Sequence, residues 1–207
     1  MKRLFDLVAV VLTVPLWLPL MAVVAVFVRI KLGSPVLFQQ PRPGKQGKIF
    51  NLFKFRSMTQ ATDATGALLP DAARLLPFGR ALRASSLDEL PELWNVLRGE
   101  MSLVGPRPLL VAYLPRYSPE QARRHDVRPG LTGLAQVKGR NSLSWHERFR
   151  WDVFYVDNHS LWMDLKIIAL TLSKVVRREG ISSSGEATMT AFDPSSPQQS
   201  DASAKTP

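Results

Sequence analysis

The sequence predicts a mostly helical α+β fold: an N-terminal membrane helix, then a small domain with amphipathic helices and little strand. Three observations carry this. Residues 7–28 form a run of 22 without a formal charge, enough at roughly 1.5 Å per residue to cross a hydrocarbon core of about 30 Å. Apolar residues recur at helical spacing over 87–98, 144–158 and 161–178. An alternating stretch that could be a strand is read at Ile49–Arg56.

Taken in order, residues 1–31 are the membrane anchor, 32–180 the folded domain and 181–207 a tail. The run is a poor cleavable signal, being too long and without a small-x-small site. Pro15 and Pro19 break it, each removing a helical hydrogen bond. Lys2 and Arg3 precede it and Arg29 and Lys31 follow it, so the positive-inside rule places both ends on the cytoplasmic face. A helix that bends near Pro19 and returns satisfies both facts; a straight span satisfies the length. Gly33-Ser34-Pro35 ends the anchor, and Val36-Leu37-Phe38 suggests a short extended piece. Pro41-Arg42-Pro43-Gly44 reads as a stiff basic turn. Residues 49–56 fit either a strand or an interfacial segment with Phe in lipid and Lys and Arg at head groups. Residues 59–71 are loop, and a short helix is expected near 72–83.

From 87 to 98, Leu87, Leu90, Leu93, Trp94 and Leu97 share one helical face, with Gly99 as the stop. Ser86-x-x-Glu89 matches a capping box; alternatively Asp88 is the cap, with Pro91 in the first turn. A further helix over 109–125 would be interrupted by Pro115 and Pro119. Residues 126–144 are rich in Gly and turn residues. Helices follow at 144–158 and 161–178. The tail has too few large apolar residues to pack and is expected to be disordered.

Of 207 residues, 27 are Lys or Arg and 17 Asp or Glu, a net charge of +10. That balance suggests phosphate-bearing partners: nucleic acid, anionic lipid or a phosphorylated small molecule. The absence of cysteine excludes disulfides and thiolate metal sites. His125, His146 and His159 are too scattered to suggest zinc.

The chemistry concentrates in residues 80–107. Asp88-Glu89 is an adjacent carboxylate pair at an expected helix start, with Arg83 five residues before it and Gly105-Pro106-Arg107-Pro108 beyond. A carboxylate nucleophile, a neighbouring acid/base and guanidinium groups are the parts phosphoryl transfer needs. A helix dipole would hold Asp88 as an anion. Glu92 falls one turn below Asp88 on the same side, and Glu89 points about 100° away. The plainer reading is that the acids merely complement a helix dipole and the arginines are solvated. Yet Arg107, Arg128 and Arg140 each sit beside Pro or Gly in a stiff turn, a costly place for an ordinary surface charge.

Seven segments, in order, resemble the monotopic phosphoglycosyl transferases of bacterial glycan assembly in their minimal single-domain form. They are Arg3-Leu4-Phe5-Asp6, Gln40-Pro41-Arg42-Pro43-Gly44, Phe53-Lys54-Phe55-Arg56-Ser57-Met58, Ser86-Leu87-Asp88-Glu89-Leu90-Pro91, Gly105-Pro106-Arg107-Pro108, Arg128-Pro129-Gly130-Leu131-Thr132-Gly133 and Gly139-Arg140-Asn141. The resemblance implies a re-entrant anchor and a catalytic domain on the cytoplasmic face of a bacterial inner membrane. It implies transfer of a sugar 1-phosphate from a UDP-sugar to undecaprenyl phosphate, with UMP released and a glycan chain initiated. Asp88 would be the nucleophile, Glu89 its partner and Mg²⁺ the cofactor, with Asp88 as a metal ligand. Arg83, Arg107, Arg128, Arg140 and Lys54 would bind substrate phosphates. Anionic lipid is an implied partner and nucleic acid is not; a homodimer or contact with downstream glycosyltransferases is compatible with it. At the bend the family often has Ser-Pro, where this chain has Leu18-Pro19, so a hydroxyl able to bond a freed carbonyl is missing. The compact length favours an acetamido sugar over a hexose. The rival from another class is a non-enzymatic basic membrane protein binding anionic lipid or nucleic acid, which gives no reason for Asp88-Glu89 amid arginines.

Overall fold

The computed structural model describes residues 1–139, 143–177 and 192–193. The apolar N-terminal run forms two helices, α1 (Lys2–Leu12) and α2 (Val14–Leu32). The break is at Thr13, ahead of both prolines rather than near Pro19. Pro15 occupies the first turn of α2, where its missing N–H costs nothing, and Pro19 lies inside α2. The Thr13 hydroxyl donates to the carbonyls of Ala9 (2.7 Å) and Val10 (3.2 Å), and the Trp17 indole N–H also reaches Val10 (3.0 Å). The Val10 carbonyl, left without a helical partner at the break, is thereby satisfied. Of the described helices only α2 is long and apolar enough to cross a membrane.

Both ends of this run are tied to the same body. Lys2 pairs with buried Asp164. Arg3 donates to the carbonyls of Val96 and Leu97, and Asp6 accepts from Ser102 Oγ at 2.8 Å. Beyond α2, Arg56 donates to the carbonyls of Leu32 and Ser34. Val10 packs with Phe50, Leu52, Leu93, Val96 and Met101, while Val24 and Val28 pack with Phe55 and Leu82. Leu4, Val11, Leu16, Val23, Val26 and Ile30 point away and are exposed.

Strands β1 (Leu37–Pro43) and β2 (Ile49–Phe55) form an antiparallel hairpin from Leu37↔Phe55 to Pro43↔Ile49. The alternating stretch is therefore strand, and Pro41-Arg42-Pro43, expected as a turn, is part of β1. A two-stranded hairpin has no central strand, so prolines can sit where their lost N–H faces outward. The turn lies at Lys45–Gly47, where Gln46 (φ 56°) and Gly47 (φ 71°) supply the left-handed backbone.

The short helix expected near 72–83 is two, α3 (Asp71–Arg74) and α4 (Pro77–Ala84). The helix expected over 87–98 also divides. Leu87–Glu89 is one 3-10 turn and α5 spans Glu92–Arg98, closed by Gly99 at φ 83°. Ser86 is left-handed (φ 57°) and forms no capping box, because the Glu89 carboxylate is drawn elsewhere. After α5, β3 (Ser102–Val104) pairs in parallel with β4 (Gly130–Thr132). The two backbones are so close that a Cβ on Gly130 would lie 2.0 Å from the Gly105 nitrogen. No continuous helix fills 109–125. Prolines restrict it to a 3-10 turn at Val111–Arg116, α6 (Pro119–Ala122) and a 3-10 turn at Arg123–His125. Helix α7 (Leu134–Lys138) precedes α8 (Trp145–Asn158), which starts at a Ser144/Glu147 capping box, and α9 (Leu161–Arg177). Within the 181–207 tail, Phe192 and Asp193 are described, and Phe192 is buried.

Candidate active site

Four elements deliver ionisable groups to one place. Lys54 comes from β2, Asp88 and Glu89 from the 3-10 turn, Glu92 from the first position of α5, and Arg107 from the segment after β3. Lys54 Nζ lies 2.8 Å from Glu89 Oε1 and 3.1 Å from Glu92 Oε1. Arg107 forks onto both Glu89 oxygens, 3.4 Å at Oε2 and a shorter bond at Oε1. Glu89 is thus clamped between two cations. Burial disfavours its charge, but Arg107 and Lys54 outweigh that and hold its pKa well below the ordinary carboxylate range. Burial also works against the Lys54 ammonium, yet its acidic neighbours, Glu89 foremost, leave its pKa above the usual value.

Asp88 differs from its neighbour. It is buried, and no hydrogen bond reaches its carboxylate among the described residues. Desolvation and the adjacent Glu89 charge push its pKa up to about 6, against the pull of Lys54, Arg107 and Arg83. The helix dipole expected to stabilise this anion gives way to burial, because Asp88 sits in the 3-10 turn ahead of α5. At pH 7 it is still mostly ionised, and its oxygens are committed to nothing. A buried, unpartnered carboxylate beside three cations is suited to attack an electrophilic phosphorus. Glu92 is deeper, 1% exposed, and burial pushes its pKa up to about 7.

The other expected phosphate-binding residues separate. Arg83, on α4, donates from Nε to Ser57 Oγ at 2.9 Å, and its charge acts on Asp88. Arg128 donates to the Gly99 carbonyl at 2.8 Å and its charge acts on Arg3, which places it at the end of α5 rather than with Asp88. Arg140 lies outside the described residues. Two contributors were not singled out from sequence. One is Glu92, visible only as the residue one turn after Asp88. The other is Arg42, which donates to Gln40 Oε1 at 2.6 Å and leaves Nε without a partner. Burial and the Arg107 charge lower the Arg42 pKa to about 10, as expected of a buried cation close to another cation.

Beside this cluster, α2 and α4 enclose an apolar groove lined by Leu20, Val24, Phe27, Phe78, Leu82 and Leu87. Leu87, one of its lining residues, directly precedes Asp88 in sequence.

Among the described residues no set of three acidic, His or Cys side chains forms a metal cage. Magnesium does not require one, since it commonly takes one or two carboxylates with substrate phosphate oxygens. Asp88 fits that use: no hydrogen bond among the described residues takes its oxygens. Glu89 does not, because Lys54 and Arg107 take its oxygens.

The sequence profile described as bacterial sugar transferase matches residues 1–178. The chain is 52% identical over 192 residues to a protein of Bacillus subtilis named uncharacterized sugar transferase EpsL, covering 93% of this chain and 95% of that one. It is 42% identical to the UDP-glucose:undecaprenyl-phosphate glucose-1-phosphate transferase of Caulobacter vibrioides, covering 84% of this chain and 69% of that protein. It is 37% identical to the UDP-N-acetylgalactosamine-undecaprenyl-phosphate N-acetylgalactosaminephosphotransferase of Aeromonas hydrophila, covering 84% of this chain but 43% of that protein.

Proposed function

The chain belongs to the bacterial sugar transferase family, and from that premise we propose that it moves a sugar 1-phosphate from a UDP-sugar to undecaprenyl phosphate through an ester on Asp88. The observation that carries this reading is the contrast between the two acids: Glu89 is locked by Lys54 and Arg107, while Asp88 is buried, ionised and unbonded. An Asp88 oxygen attacks the β-phosphorus of the donor, the phosphoanhydride bond to UMP breaks, and UMP leaves. A phosphate oxygen of the lipid acceptor then attacks the phosphorus now on Asp88, and the aspartyl ester bond breaks. Arg107 and Arg83, whose charges both act on Asp88, would neutralise the phosphate oxygens on which charge gathers. Arg42 and Lys54 complete the cationic wall. Bound at Asp88, magnesium would neutralise phosphate charge. Glu89 keeps Arg107 and Lys54 in register for that work.

The groove between α2 and α4 supports the lipid half of the reading. It is apolar and its lining runs from the membrane helix to Leu87, the residue before Asp88 in sequence, which suits an isoprenoid chain held near the site. Incubation of the protein with a panel of UDP-sugars and Mg²⁺, without acceptor, should add one phosphosugar mass to the peptide containing Asp88, and EDTA should prevent it. Full turnover with no such adduct in rapid-quench mass spectrometry would exclude the covalent route.

The same reading places the catalytic domain on the cytoplasmic face of a bacterial inner membrane with a re-entrant anchor. Its support is that both ends of the apolar run are bonded to one folded body, through Lys2, Arg3 and Asp6 on one side and Arg56 on the other. A span would have to tear one set away. A cysteine inserted after Met1 of this cysteine-free chain should resist an impermeant thiol reagent in intact cells and react once the inner membrane is opened. Labelling from the periplasm would establish a span.

A further inference from the structure

Phe192 is a buried aromatic that none of this chemistry uses, and it lies beyond the residues matched by the family profile. It is 4% exposed. Its ring sits 5.0 Å from Phe149, 5.5 Å from Trp145, 5.6 Å from Tyr113 and 5.9 Å from Tyr117. Its backbone is held as well: the N–H donates to Tyr113 Oη at 3.1 Å, and the carbonyl accepts from Arg116 at 3.0 Å. Four rings and two directed hydrogen bonds on one residue make a built receptor, not a chance contact.

Two of those rings also support an arginine. The Arg124 guanidinium lies 5.8 Å from the Tyr117 ring and 5.6 Å from the Phe149 ring, and it is bonded to buried Asp152 at 2.7 and 3.0 Å. Its Nη2 also donates to the backbone carbonyl of Arg107 at 2.7 Å. Arg107 in turn grips Glu89. The contacts thus run from Phe192 through Tyr117 and Phe149 to Arg124, then to the Arg107 backbone and the carboxylate beside Asp88. Asp152 fixes one edge of Arg124 and the rings fix its faces. Without Phe192, Tyr117 and Phe149 lose a stacking partner and an edge-on partner, and those faces become free to rotate.

We propose that the aromatic box of Tyr113, Tyr117, Trp145 and Phe149 is a docking site for this chain's own terminal segment, and that Phe192 is a positioning residue for Arg107. The second half rests on the reading of Arg107 as a phosphate-binding group; the docking does not. In the full chain, Phe192→Ala should lower kcat about tenfold, on the scale of a displaced catalytic group, with KM for the UDP-sugar changed by less than about twofold. Phe192→Leu, which restores apolar volume, should recover most of that loss. A chain ending at residue 190 should regain kcat when a peptide of residues 186–198 is added, saturably, and should not with the Phe192→Ala peptide. The same titration read by tryptophan fluorescence should show binding that Trp145→Phe removes. Unchanged kcat in Phe192→Ala, or a loss matched by an equal loss of folded protein, would overturn the positioning role. No fluorescence change with the peptide would overturn the docking. Peptide binding in a protein that transfers no sugar phosphate would leave the docking standing and count against the proposed function instead.

Discussion

Asp88→Asn should abolish sugar-phosphate transfer, with a fall in rate of about 10⁴-fold or more, as expected when a covalent nucleophile is removed. The amide keeps the shape of the carboxylate but cannot form the ester, and no neighbouring donor loses a partner, because no hydrogen bond reaches the Asp88 oxygens among the described residues; the cost is the new amide NH2, itself buried without an acceptor. The fold should not suffer. Burial and Glu89 raise the Asp88 pKa to about 6, so at pH 7 the ionised side chain costs the folded state free energy. A neutral side chain removes that cost, about 3 kcal/mol, while the buried amide donor costs about 1–3 kcal/mol, so the variant should be about as stable as the parent or slightly more. UMP release measured with UDP-sugar and acceptor, beside a denaturant titration, reads both halves. Retention of activity within tenfold would mean that another group attacks phosphorus. Loss of activity together with loss of folding would mean that Asp88 is structural.

The parts of this fold that were legible in the sequence are those whose cause is local. Helices α8 and α9 have long periodic faces, and Ser144 with Glu147 forms the reciprocal cap that marks a start. Strand β2 alternates over its first half, where Phe50 and Leu52 share one buried face. What could not be read depends on partners far along the chain. Strands β3 and β4 have three residues each, too few for any period to register, and their parallel pairing, with Gly105 and Gly130 in close approach, joins segments far apart in the chain. Ser86 and Glu89 have the spacing of a capping box, but Lys54 and Arg107, from distant segments, compete for the carboxylate and win because charge-assisted bonds are the stronger. Arg107 and Arg128 carry the same local signature, an arginine beside proline in a stiff turn. Packing sends one to Glu89 and the other to the Gly99 carbonyl. Phe192 is a lone aromatic in a polar stretch, and only the box it enters reveals it.

Arg107→Ala should cost the next largest amount, about 10²- to 10³-fold in kcat, the scale of losing one preorganised donor to a developing phosphate charge. Two effects act together. The guanidinium no longer meets the phosphate oxygens, and Glu89, freed of one partner, draws more of Lys54 to itself. Stability should fall by only about 1–2 kcal/mol, below the cost of breaking a deeply buried pair. The reason is that Lys54 keeps its 2.8 Å contact to Glu89, and the Arg107 side chain is 34% exposed. Arg107→Lys separates charge from geometry. It restores a cation but not the fork that spans both Glu89 oxygens, so it should recover the stability loss and no more than about a tenth of the activity. If Lys restores both in equal measure, the site needs charge alone at this position. If the alanine variant loses activity only in proportion to its loss of folded protein, Arg107 holds Glu89 in place and does not act on the phosphate.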